Sequence, residues 1–304
     1  MKVKYTIFSI ICLIAIGFVT LAIAEQGTLN QNMTDKVQNS PKKIEVIDPA
    51  VAKPLISKEH ALAIASKFLI PLDNRTKISL LRDDTIQKPV WEFAYLNDLE
   101  ETSITIDADT GQLIAYFNFS RMSSGVPINS DDAPLKAKSH FKQFDVDINT
   151  LDVSHPSIKT VEISNGKTYN IFWKQQKNGI TVYKNFVAVG LNADTGNLIS
   201  FTKQLSDVSN VNTIPKLTQD EAVRIAKDFL ARNYNMPADS KLLGSSLEIR
   251  KPNDWAINRE VTLKGDFTLT WVVEFQDKTR SDDAIVNIWL DAVTGEVIGG
   301  ETCK

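Results

Sequence analysis

Four carboxylates recur in one setting. Asp107, Asp109, Asp194 and Asp291 lie in a phrase that the chain writes three times. It reads Asp107-Ala108-Asp109-Thr110-Gly111-Gln112-Leu113-Ile114, then Asn192-Ala193-Asp194-Thr195-Gly196-Asn197-Leu198-Ile199, then Asp291-Ala292-Val293-Thr294-Gly295-Glu296-Val297-Ile298. Paired carboxylates can move protons in acid–base catalysis or hold calcium. Asp and Asn also brace turns by accepting nearby backbone N–H groups. Val293 replaces Asp109 in the third copy, so a shared metal site would lose a ligand there, and the turn role is favoured.

The other chemical candidates are scattered. His60 follows Lys58 and Glu59 in the first turn of a helix, a surface cap position. His140 falls on a polar helix face, and His155 precedes Pro156 in a loop. A metal site needs converging ligands, and nothing in the spacing brings these three together. Ser, Thr and Cys nucleophiles lack a base. Gly299-Gly300 follows a strand and forms no phosphate loop. Trp91, Trp173 and Trp271 stand at similar positions ahead of the three phrases and could stack a glycan or peptide. A large aromatic on a strand facing an apolar helix usually belongs to the core, which is the reading preferred. No catalytic, cofactor-binding or metal residue is assigned, no cofactor is expected, and the protein is read as a non-enzyme.

The repeated phrase itself reports architecture. A short polar stretch with Gly between two apolar runs marks a strand, a tight reversal and a second strand, because Gly takes the positive φ of the turn. Three such hairpins imply three similar modules.

The bulk numbers agree with an ordinary globular chain. Its 304 residues suit two or three small domains. The net charge is −3, or −5 once Lys2 and Lys4 are subtracted. No basic block favours nucleic acid or an anionic membrane surface. Of two cysteines, Cys12 lies in the N-terminal apolar run and Cys303 is next to last, so no disulfide framework holds the fold. With Cys12 removed, Cys303 is an idle thiol or an intermolecular partner.

Residues 1–24 read as a signal peptide or N-terminal membrane anchor. Lys2 and Lys4 precede an apolar run from Ile7 to Ala24, and Ala22-Ile23-Ala24 offers a cleavage site before Glu25. Cleaved export is favoured over a retained anchor, and either leaves the rest of the chain outside the cytoplasm. Residues 25–50 are polar and read as a flexible spacer.

Module 1 covers 51–122. Ser57 caps a helix carrying Ala61, Ile64, Ala65, Phe68 and Leu69, which Pro71 ends; Trp91, Phe93 and Tyr95 then alternate on a strand, as do Ile104 and Ile106. Module 3, 211–304, repeats the plan. Thr218 and Glu221 form a capping box, Ala222, Ile225, Ala226, Phe229 and Leu230 line the helix, and Trp271, Val273 and Phe275 alternate. It carries a polar insert around Lys251–Gly265. Module 2, 126–206, is the least regular. Asp131-Asp132-Ala133-Pro134 reads as a helix start, Ala137, Phe141 and Phe144 share a helical face, and Asn178-Gly179 is a further hairpin signal. The expected fold class is α+β: tandem modules, each one amphipathic helix packed on a small antiparallel sheet.

The run Leu217-Thr218-Gln219-Asp220-Glu221-Ala222-Val223-Arg224-Ile225-Ala226, followed by a Trp-bearing strand and a Thr-Gly hairpin, resembles the PepSY domain. Residues 55–118 look like a second copy. Phe172 to Val182, through Gly196-Asn197-Leu198-Ile199-Ser200, is similar to the YcdB/YcdC repeat and to the propeptides of thermolysin-type metalloproteases. The resemblance implies an exported or membrane-associated bacterial protein related to domains thought to inhibit or chaperone peptidases. This chain has no H-E-x-x-H pair of zinc ligands, so it lacks that protease domain. The expectation is an exported protein that binds another protein, a secreted peptidase being the partner the resemblance suggests. The alternative is a structural or sensory ectodomain at the cell envelope that binds wall polymer or a membrane complex.

Overall fold

The computed structural model describes residues 44–46, 53–68, 74–83, 88–97, 100–120, 124–163, 166–234, 236–237, 240–253, 265–276 and 284–303. The N-terminal segment read as an export signal, with Cys12, most of the stretch read as spacer, Leu69, Pro71, insert residues 254–264 and the side chain of Cys303 lie outside this set. Among the described residues, no helix is long and apolar enough to cross a membrane.

Among the described residues there are few helices and many antiparallel strands. The first element among them is β1 (Ile44–Val46), which pairs antiparallel with β2 (Thr76–Asp83). It lies inside the stretch read as spacer; Ile44 and Val46 flank Glu45, an alternation too short to stand out in a polar segment. α1 (Lys58–Ala65) precedes β2, and β3 (Lys88–Leu96), β4 (Glu100–Asp107) and β5 (Leu113–Ser120) follow it. Next come α2 (Ala133–Lys138), β6 (Ser157–Ile163), β7 (Gly166–Lys177), β8 (Ile180–Asn192) and β9 (Leu198–Gln204). α3 (Gln219–Tyr234), β10 (Leu242–Arg250), β11 (Thr268–Gln276), β12 (Ile285–Asp291) and β13 (Val297–Cys303) complete the chain.

The chain forms two compact units. One holds residues 1–148, 153–173 and 186–204, and the other 149–152, 174–185 and 205–304. In the first, strands follow the order β1-β2-β3-β4-β5-β9-β8, and β6 pairs with β7. Aromatic rings fill its helix side. Phe144 stacks on Phe201 at 4.0 Å and on Phe68 at 5.5 Å, and Phe141 meets Trp173 edge-on at 5.0 Å. Such pairs add roughly 0.5–1.5 kcal/mol beyond their burial.

In the second unit β10-β11-β12-β13 run antiparallel, and β10 also pairs in parallel with β8 at Ile249 and Val182. Ala222, Ala226 and Leu230 of α3 form one cluster with Val273 and Phe275 of β11 and Val286, Ile288 and Leu290 of β12. A linker is fastened to the β7–β8 hairpin tip. Lys177 Nζ donates to the carbonyls of Val208 (2.9 Å), Ser209 and Val211 (2.7 Å), while Gln175 Nε2 donates to Ser206 O at 2.8 Å. The tip itself has Asn178 and Gly179 at φ 51° and 78°, a reversal whose twist suits antiparallel strands.

The helices start as capping chemistry dictates in two cases. His60 N donates to Ser57 Oγ at 3.2 Å; Thr218 N donates to Glu221 Oε2 at 2.8 Å and Glu221 N returns to Thr218 Oγ1 at 3.3 Å. The middle helix starts at Ala133, as read, but ends sooner than the reading had it. Asp132 flanks it without a side-chain cap bond. The acceptor is Asn129, whose Oδ1 takes the N–H groups of Asp131 and Asp132 at 2.9 and 2.8 Å. The helix also stops at Lys138, so Phe141 and Phe144 reach the core from the turns beyond it. Two alanines per helix, Ala61 and Ala65, Ala133 and Ala137, Ala222 and Ala226, are wholly buried. A methyl side chain lets the helix backbone lie close to what it covers.

Candidate functional site

The three repeated phrases fold into the same device. Asp107 Oδ1 accepts from Asp109 N and Thr110 N, both at 2.9 Å. Asn192 Oδ1 accepts from Asp194 N and Thr195 N at 2.9 and 3.0 Å, and Asp291 Oδ1 from Val293 N and Thr294 N at 2.8 Å each. The N–H of Gly111, Gly196 or Gly295 then closes onto the carbonyl of the same Asp or Asn. All three glycines have φ between 66° and 78°, where a Cβ is strained. Past each turn the register slips by one residue, giving a bulge at Ile114, Ile199 and Ile298.

Each turn also holds the start of a helix. The alanine in the phrase donates back to its neighbour strand: Ala108 to Pro89, Ala193 to Lys167, Ala292 to Leu269. Its carbonyl accepts from the residue just before the helix cap, namely Ile56, Ile128 or Leu217, at 2.8 to 3.0 Å. The carboxylates of Asp107 and Asp291 are therefore spent as local acceptors. Burial works to raise the Asp107 pKa, but N–H bonds from Thr110 and Asp109 and the ion pair with Lys88 outweigh it, leaving the pKa low. Asp291 is low by the same balance, with bonds from Thr294, Val293 and Thr268 overcoming burial. Among the described residues, no three His, Cys, Asp or Glu groups gather as metal ligands would.

The tryptophans have structural work. Trp91 Nε1 donates to Ile56 O at 2.8 Å and Trp271 Nε1 to Leu217 O at 3.0 Å, so each ring pins a helix start. Trp173 is not their counterpart. Counted from the strand carbonyl that meets the turn alanine, Tyr169 occupies that place, and Trp173 is a core residue against Phe141. Lys184 in β8 has φ 60°, a left-handed conformation uncommon for a residue with a side chain. His60 is exposed on the first helical turn, and His155 is exposed in its loop. His140 is half-buried, and its Nε2 has no partner. Burial lowers its pKa, helped by Lys136 and opposed by a bond to Gln143.

One polar cluster escaped the sequence reading. Arg250, 3% exposed, lies between the rings of Tyr183 (3.6 Å) and Trp289 (4.3 Å). Its guanidinium pairs with Glu248 at 2.9 Å and Glu301 at 3.2 Å, and Tyr183 OH donates to Glu301 at 2.7 Å. Burial and the neighbouring Glu301 push the tyrosine pKa far up. The cluster fixes strands rather than exposing a reactive group. Its sole local signal was Glu-x-Arg at the end of β10.

Strand edges offer a different kind of site. The outer edge of β13 is partly occupied: Asn253 N donates to Ile298 O at 3.0 Å, Asn253 Nδ2 to Gly300 O at 2.8 Å, and Gly300 N to Asn253 Oδ1 at 3.0 Å. The outer edge of β6 is not matched this way. Among the described residues β6 pairs only with β7, and Ser157, Ile158, Thr160 and Glu162 are exposed.

Comparison with known proteins accords with this construction. The PepSY family, the peptidase propeptide and YPEB domain, matches residues 55–117 and 216–301. Each matched region contains a helix, the strands after it and one braced turn. A comparison with curated proteins finds no match. Among solved structures, the C-terminal domain of Bacillus megaterium YpeB is similar, at 17% identity over 83% of this chain and 99% of that one, with a TM-score of 0.40.

Proposed function

Because the chain carries PepSY domains at residues 55–117 and 216–301, we propose that it is an exported, non-enzymatic binding protein whose partner is a secreted peptidase that it restrains or helps to fold. Its scaffold in this reading is three modules, 51–122, 126–206 and 211–304, each a helix over a four-stranded meander. The family's description, peptidase propeptide, supplies the class of partner.

The observation that carries the reading is the edge of β6. A seven-residue strand without proline, exposed and paired on one side, offers backbone donors and acceptors to an extended segment. Asn253 occupies part of the β13 edge, so β6 is the better-suited strand. Carboxylates bound up in turns support a binding role over a catalytic one.

The test is a pull-down of residues 25–304 against the secreted proteins of the source culture, followed by assay of any captured peptidase. Capture of a peptidase whose rate falls, or whose refolding yield rises, supports the proposal. Thr160→Pro, which removes one backbone donor from β6, should abolish capture while leaving thermal unfolding close to the parent. Absence of any peptidase among captured proteins would overturn it.

A further inference from the structure

We propose that the sheet face of the first unit turned away from its aromatic core binds an extended main-chain segment of a partner protein, with Asn170 and Thr168 as its hydrogen-bonding groups. This rests on the protein-binding reading above and adds a second contact surface to the β6 edge. Strand residues alternate between faces. Phe201, Val189 and Ile104 point into the core, so their neighbours form the opposite face. Strand pairing sets Ala188 beside Thr202, Thr202 beside Ala115, and Ala115 beside Thr105. Gly190 pairs with Ser200 in the adjoining row, and Ser200 with Phe117. These side chains are small, apart from Phe117, and most are half-buried, so another backbone can approach closely.

Small residues alone would only mark a flat surface. The second observation is a pair of orphaned polar groups. Asn170 is 6% exposed and Thr168 4%, yet Asn170 Nδ2 and Thr168 Oγ1 have no hydrogen-bond partner. Asn170 leans onto this face: a Cβ at Gly190 would lie 3.1 Å from its Oδ1 and collide with Ser200 Oγ. A buried donor left unpaired is costly, and a ligand acceptor would offset that cost. Both groups are neutral, which suits an amide better than an ion. They lie two residues apart on β7, about 6.5–7 Å along the strand. An extended ligand presents like-facing main-chain groups at that same period. Its carbonyl would accept from Asn170 Nδ2, and Thr168 Oγ1 would meet the next polar group.

The test uses residues 25–304 and a permanently unfolded probe, reduced and carboxymethylated α-lactalbumin, read by fluorescence anisotropy. Binding is expected, with Ser200→Trp weakening it at least about tenfold and Asn170→Leu about fivefold. If Ser200→Trp loses cooperative unfolding, Thr202→Glu at a half-buried position of the same face is read instead, with the same loss expected. Unchanged binding in these variants, or binding of chito-oligosaccharide in place of the unfolded chain, would overturn the inference. Loss of binding in Thr160→Pro but not in the face variants would leave the protein-binding reading standing and remove this one. Failure to capture any secreted peptidase removes the reading itself.

Discussion

Asn192 performs with an amide oxygen what Asp107 performs with a carboxylate: each accepts two successive backbone N–H groups at 2.9 to 3.0 Å. The shared feature is an oxygen at that place, not a negative charge. Asp107→Asn and Asp291→Asn should therefore fold with stability within about 1 kcal/mol of the parent, whereas Asp291→Ala should lose roughly 1–2 kcal/mol by orphaning two N–H groups. Urea unfolding midpoints check this; equal losses for Asn and Ala would contradict it.

Gly111 tests the turn backbone. Its φ of 73° and the Ile64 Cδ1 atom 3.2 Å from a built Cβ leave little room for a side chain. Gly111→Ala should cost about 1–2 kcal/mol, from left-handed strain alone. Gly244, with open space around it and no positive φ, is the control, and Gly244→Ala should cost less.

His140 predicts acid sensitivity. Counted from the residue that caps each helix, it stands where Phe68 and Phe229 stand in the other two segments. Its folded pKa lies below 6.5 because burial disfavours the imidazolium, so the unfolded chain binds the proton more readily. The stability it contributes is complete above about pH 6.5 and is lost as pH falls below that value. Denaturant midpoints of His140→Phe should vary less than those of the parent between about pH 7.5 and 5. A parallel pH dependence in both proteins would refute the assignment.

Lys177 should act as the staple of the linker. Lys177→Met keeps the aliphatic stem but leaves the carbonyls of Val208, Ser209 and Val211 without their shared donor. A loss of about 2–3 kcal/mol is expected, with faster amide exchange confined first to residues 205–213. Unaltered exchange there would show that the linker is held by other means.

Arg250 should not tolerate truncation. Arg250→Ala would strand Glu248 and Glu301 and empty the space between two rings, at about 3–5 kcal/mol. Arg250→Lys should recover only part of this, since an ammonium lacks the planar fork and stacks poorly. Thermal unfolding of both variants, with near-ultraviolet dichroism of Trp289, measures the difference.

What could be read from residue order was whatever interacts locally. Ser57, Thr218 and Glu221 act within one helical turn, and Asp107 and Asp291 bond two and three residues ahead, so spacing alone exposed them. The Arg250 cluster draws on Tyr183, Glu248, Trp289 and Glu301, far apart in the chain, and only strand pairing assembles it. Trp173 resembles Trp91 in sequence because both are tryptophans before a turn. The turn alanine Ala193 bonds to Lys167, so the place two residues on belongs to Tyr169. Asn129 caps from two residues before the Asp131-Asp132-Ala133-Pro134 start, a place that no local pattern marks.

Asn253 has a consequence for how the molecule keeps to itself. By imitating a passing strand along Ile298 to Gly300, one side chain and its own amide occupy hydrogen-bonding groups that another copy could otherwise use to extend the sheet indefinitely. The outer edge of β13 is thereby guarded against fibrillar growth.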